Sequence, residues 1–148
     1  MEKNMSETEI HLRYKAKIIE VLERDSYAKS LGIRLSELGP GSAKSELLVQ
    51  DGMLNMHGTL HGAVTFALAD FAFQSACNSY GRMSVGLTTT VNYMAAGQLG
   101  SVVTAKATEE RKNYRTAWYK IAIESNGELI STMEATAYRK EKYFVPED

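Results

Sequence analysis

The segment from Ala63 to Ala76, AVTFALADFAFQSA, constrains the fold more than any other part of the chain. Apolar residues occupy positions 63, 64, 66, 67, 68, 69, 71, 72 and 73. On a helix these positions cover every face, and a helix that is hydrophobic all round is buried all round. The run falls short of the ~18 apolar residues a membrane span needs. The rest of the protein must therefore enclose it, and the concave side of a curved sheet is the natural enclosure.

The flanking sequence supplies such a sheet. Ile33, Leu35 and Leu38 alternate with polar residues up to the turn Gly39-Pro40-Gly41, after which Ala43, Ser45, Leu47 and Val49 share one strand face. Val85–Tyr93 is rich in Thr, Val and Tyr, all good strand residues. Ser101–Glu110 alternates Val103, Ala105 and Ala107 with Thr104, Lys106 and Thr108. Ala117, Tyr119, Ile121 and Ile123 form another such face, and Leu129–Arg139 a last strand. Asn126-Gly127 between these two is the strongest short hairpin signal. Ahead of the sheet, Ser6 to Arg24 reads as an amphipathic helix, opened by a Ser6–Glu9 capping box and patterned by Ile10, Tyr14, Ile18, Val21 and Leu22. Ser26–Leu31 reads as a short helix stopped by Gly32. Hairpins rather than strand–helix alternation predict an α+β fold with an antiparallel sheet of about six strands around one central helix.

A chain of 148 residues fits one domain that buries roughly two-thirds of its unfolded surface. Its net charge of −1 argues against nucleic acid or an acidic membrane surface as a partner. One cysteine forms no intrachain disulfide, the first ten residues carry no signal-peptide core, and the cytoplasm is the expected location. The expected boundaries are a helical extension over 1–27, the main domain over 28–140 and a tail over 141–148.

Asp70 is the one acid inside the apolar helix. A buried, unpaired carboxylate is costly, so the group is paired, neutral, or open to a pocket or interface. It is either a structural aspartate bound to backbone or to a partner chain, or a carboxylate at a ligand cleft, tuned as base or nucleophile. His61-Gly62-Ala63 sits at the expected helix start, where backbone N–H groups lack acceptors and small residues admit a substrate oxygen. That suits a carbonyl that becomes negative during acyl transfer. Eight residues at 1.5 Å rise put Asp70 about 12 Å from Gly62, too far for both to meet one carbonyl. A second subunit could close that gap, which hints at a dimer with sites between subunits. His57 and His61 have metal-ligand spacing only on a helix, which Asn55-Met56 and Gly58 do not suggest, and no third ligand is near, so no metal is expected. Cys77 has no histidine partner and no G-x-S-x-G elbow occurs.

The pattern Asn55-x-His57-Gly58-x-x-His61-Gly62, followed by Leu68-Ala69-Asp70, resembles the hotdog-fold acyl-CoA thioesterases of the PaaI type. The likeness spans about Ala28 to Arg139 and includes Ala76-Cys77-Asn78-Ser79 and Val91-Asn92-Tyr93-Met94. It implies the hotdog fold, a sheet wrapped around a long helix, a homodimer or homotetramer, an acyl-CoA substrate and no cofactor. It implies that Asp70 activates water or attacks the thioester, that the Gly62 N–H polarises the carbonyl, that Asn55 from the opposite subunit helps place carbonyl or water, and that His61 supports the loop. Candidate substrate-binding residues are His57, Ala63, Gln74, Thr88, Thr89, Arg111 and Arg115, with Lys112, Arg139 and Lys140 as further cations for CoA phosphates. Ala63 stands where many relatives have a second glycine, and Gly86 where some have a water-holding serine, a role open here to Thr88 or Thr89. A hotdog enoyl-CoA hydratase and a non-catalytic acyl-CoA binding module are the alternative functions.

Overall fold

In the computed structural model, which describes residues 4–146, the first helix starts as its capping residues dictate. The Ser6 hydroxyl accepts the Glu9 N–H at 3.1 Å and the Glu9 carboxylate accepts the Ser6 N–H at 3.0 Å. The helix α1 (Glu7–Leu22) bends at Tyr14 and buries Ile10, His11 and Ile18. The short α2 (Ser26–Leu31) is capped by Asp25, whose carboxylate accepts the Ala28 N–H at 2.9 Å. It stops at Gly32, whose φ of +76° lies in the left-handed region.

The strands are β1 (Arg34–Gly39), β2 (Ser42–Leu48), β3 (Arg82–Tyr93), β4 (Val102–Lys112), β5 (Thr116–Ser125) and β6 (Glu128–Tyr143). They form one antiparallel sheet in the order β1-β2-β4-β5-β6-β3. The apolar helix α3 (Gly62–Cys77) packs on its inner face, chiefly against β2, β4 and β5. Buried alanines there (Ala105, Ala107, Ala117 and Ala137) let the helix backbone approach the strands closely. The Ser45 hydroxyl donates to the Leu68 carbonyl at 3.0 Å across this contact. Between β5 and β6, Asn126 and Gly127 both have positive φ (+53° and +78°), as a type I′ hairpin turn requires. This is the expected hotdog architecture, with its N-terminal helix. Among the described residues no helix is long and apolar enough to cross a membrane.

β6 runs to Tyr143, beyond the alternation that ends near Arg139. Ile10 and Ile18 of α1 and Val145 after β6 enter the same buried cluster as α3. Residues 1–3 of the expected extension and 147–148 of the expected tail lie outside the described residues.

Candidate active site

The loop before α3 is closed by its own asparagine. The Asn55 N–H donates to the Thr59 carbonyl at 2.8 Å, and the Asn55 side-chain oxygen accepts the His57 and Thr59 N–H groups at 2.9 and 3.2 Å. The Asn55 amide also donates to the Thr59 hydroxyl at 3.1 Å. Gly58 turns the chain at φ +76° and leaves His57 exposed. The backbone of 55–60 is not helical, so His57 and His61 do not share a helix face. Among the described residues no cluster of three or more His, Cys, Asp or Glu is placed to hold a metal.

At the helix start the N–H groups are allotted one by one. The Val64 and Thr65 N–H groups donate to the His61 carbonyl at 2.9 and 3.2 Å. Ala63 donates to His61 Nδ1 at 3.0 Å, which makes His61 the side-chain cap of α3. The Gly62 N–H alone has no protein acceptor among the described residues. A Cβ on Gly62 would come within 3.3 Å of the Tyr93 ring, so glycine keeps this approach open beneath Tyr93.

Asp70 is half-buried on the wall of a cavity of about 470 Å³, with Ala63, Ala67 and Phe71 of α3 beside it. Burial pushes its carboxyl above the ordinary aspartate value. The Gln74 amide, donating to Oδ2 at 3.0 Å, pulls it back in part, and the charge of Asp25 raises it further. Asp25, Tyr27 and Tyr93 complete the titratable lining of this wall. Neither Asp25 nor Tyr27 stands out in the sequence as a site residue. Asp25 shows there only as a helix cap, and nothing local signals that α2 lies across from Asp70.

The remaining candidates lie elsewhere. Thr88 opens into a different cavity, with Trp118 and Glu134, so it does not face Asp70. Thr89 pairs with the buried Ala135 and lies on the α3 side of the sheet. Gly86 holds β3 close to α3, since a Cβ there would meet the Phe73 ring at 3.2 Å. None of the five basic candidates lines the Asp70 cavity. Arg111 donates to Asn113 at 3.0 Å, and Arg115 pairs with Glu141 at 3.3 Å. Arg139 is a correction: its side chain is 3% exposed and ion-paired with Glu7, so it cannot meet a phosphate at a cleft rim. Lys112 also pairs with Glu7, at 3.0 Å, and lies over the Tyr80 ring. Cys77 is buried and its thiol is pushed up to about 12, chiefly by burial and then by the charge of Asp70. It is a core residue and no nucleophile.

Comparison with known proteins agrees with this fold. The Thioesterase superfamily model matches residues 57–131, which span the loop, α3 and most of the sheet. The acyl-coenzyme A thioesterase PaaI of Escherichia coli is 38% identical over 101 residues, 68% of this chain and 72% of that protein. The solved structure of E. coli PaaI, from the phenylacetic acid degradation operon, superposes with a TM-score of 0.84 at 29% identity, covering 93% of this chain and 99% of that one. The TT0310 protein of Thermus thermophilus follows at a TM-score of 0.76 and 35% identity, covering 78% and 98%. The chain belongs to the Thioesterase superfamily, as a PaaI-like thioester hydrolase on the hotdog fold.

Proposed function

We propose that this protein hydrolyses acyl-CoA thioesters to a free acid and CoA, with Asp70 as general base or nucleophile and the Gly62 N–H as the carbonyl-polarising donor. One observation carries the reading. A single buried helix presents an unengaged N–H at its first residue and, two turns on, a carboxylate raised by an apolar cavity. As base, Asp70 takes a proton from water while the water oxygen bonds to the carbonyl carbon. The Gly62 N–H donates to the carbonyl oxygen as it gains negative charge. The C–S bond then breaks and CoA leaves as its thiol, taking up the proton. As nucleophile, the carboxylate oxygen bonds to the carbonyl carbon and the C–S bond breaks, leaving a mixed anhydride and CoA thiolate. Water then cleaves the anhydride, which restores Asp70, releases the acid and supplies the proton the thiolate takes up. No metal or cofactor enters either route, and Asn55 and His61 hold the loop that positions Gly62.

The two groups stand about 12 Å apart along one helix, so the site is split between two copies of the chain. β3 supports this arrangement. It is one of the sheet's two edge strands, with β1 at the other side, and it exposes Val85 and Leu87, an apolar template for pairing with another copy. Leu87→Lys is expected to weaken self-association at least roughly tenfold, since a charged edge resists pairing, and to lower activity in step. Light scattering on the native 16.4 kDa chain reads the association and separates a dimer from a pair of dimers. Unchanged association in the variant would place the interface elsewhere.

Asp25 offers a subtler check. Asn caps a helix as well as Asp, so Asp25→Asn keeps α2 and removes one charge facing Asp70. Asp70 then stays ionised to lower pH, and the acid limb of kcat/KM moves down the pH scale. A limb that stays in place would mean Asp70 does not control it. The activity itself is tested by thiol release from acetyl-, octanoyl- and phenylacetyl-CoA. Hydration of an enoyl-CoA without thiol release, or binding without turnover, would overturn the reading.

A further inference from the structure

A second cavity, of about 350 Å³, lies behind the one at Asp70. The two share Asp25, Ala28, Ile33 and Phe71 as walls. Ala28 offers only a methyl group at this junction, and the Phe71 ring stands one residue from Asp70. Beyond the junction the second cavity continues between the end of α1 and β1 to Leu22 and Leu35, both half-buried against the core. Its charged residues include Arg34 and Glu46, which are engaged with each other. The Asp25 carboxylate is engaged by the Ala28 N–H. The path from Asp70 to Leu35 thus runs along the apolar side chains of Phe71, Ala28, Ile33, Leu22 and Leu35, with Glu23, Lys29 and Ser36 also on the wall of the second cavity.

We propose that the two cavities form one acyl groove, in which an extended aliphatic acyl group runs from Asp70 past Ala28 and Phe71 to Leu22 and Leu35. The inference rests on the acyl-CoA reading above and names the substrate class within it. A short or compact acyl group fills only the first compartment. A longer chain also buries methylenes in the second, and each buried methylene adds apolar contact that a shorter substrate cannot make. The end of α1 and strand β1 therefore set chain-length preference, although neither carries a reacting group.

The test is a kcat/KM series from acetyl- through butyryl- to octanoyl-CoA, read by thiol release. The native protein is expected to favour octanoyl- over butyryl-CoA by at least roughly tenfold, well inside what four buried methylenes can supply. Leu35→Trp and Leu22→Trp fill the second compartment from opposite walls. In either variant, folded as judged by circular dichroism, the octanoyl-to-butyryl ratio should fall at least roughly tenfold. A flat length series in the native protein overturns the groove whatever the variants do. So does an unchanged ratio in a folded tryptophan variant. If no acyl-CoA yields thiol, the hydrolase reading itself fails and takes the groove with it; thiol release with flat ratios removes the groove alone.

Discussion

Asp70→Asn should cut kcat for thiol release by about 10²–10⁴, the range supplied by a positioned base, and should raise the melting temperature of the protein. The two effects share one cause. The Asp70 carboxyl is raised mainly by burial, so at neutral pH the folded state holds a charge that its surroundings disfavour. An acid with a raised folded pKa destabilises the fold above that pKa, and the penalty fades as pH falls through it. Asn keeps the shape and can still accept from Gln74, yet carries no charge. The melting-temperature gap between variant and native protein should therefore be widest at neutral pH and close on acidification. A purely structural Asp70 predicts the opposite pattern, with stability lost and turnover mostly kept. Turnover within tenfold of native across several acyl-CoAs would remove Asp70 from the chemistry.

Glu7→Gln should cost about 3 kcal/mol of stability, the low end for breaking a buried ion pair. Glu7 sits in the first turn of α1 and meets Arg139, Lys112 at 3.0 Å and Arg82 at 3.6 Å. The two arginine side chains are only 3% and 4% exposed, so removing their carboxylate leaves charge in the protein interior. The low end applies because Glu7 keeps 22% of its side chain exposed. In a chain of this size that corresponds to a melting temperature roughly 6–12 °C lower. Burial alone would raise the Glu7 carboxyl, but the Lys112 hydrogen bond and the Arg139 and Lys112 charges outweigh it and hold the group below its usual range. A depressed acid stabilises the fold above its unfolded pKa, and that support is lost as pH falls through the folded value. The Glu7 contribution should thus drain away from the ordinary glutamate range down to the lower folded value, and this component should be absent from the Gln variant. Calorimetry over an acid pH series reads both; a variant as stable as the native protein would show that α1 is held by apolar packing alone.

Local pattern carried much of this architecture in the sequence, and long-range placement did not. α3 was legible because nine apolar positions over every helix face leave a helix nowhere to go but inside. Asn126-Gly127 was legible because few residues tolerate two successive positive φ values. The pairing of β3 with β6, by contrast, joins residues as far apart as Arg82 and Tyr143, and neither strand alone says which edge it takes. Arg139 read as a surface cation because a charged residue at a strand end usually is one. Its burial depends on Glu7, at the far end of the chain. The same limit hid Asp25 and Tyr27 from the site. The Asp70–Gly62 motif lies within one short segment, whereas the opposite cavity wall arrives from α2 through the tertiary fold.

The buried thiol of Cys77 has a practical side. It is the chain's only cysteine, and at 2% exposure with a thiol pushed up to about 12 it stays protonated and shielded at assay pH. An aromatic disulfide added to follow CoA release therefore reads product alone while the protein stays folded. Once the chain opens, each molecule yields one reactive sulfur. The same reagent, without substrate, then counts unfolded molecules, and one cuvette reports both turnover and the fraction of enzyme still native.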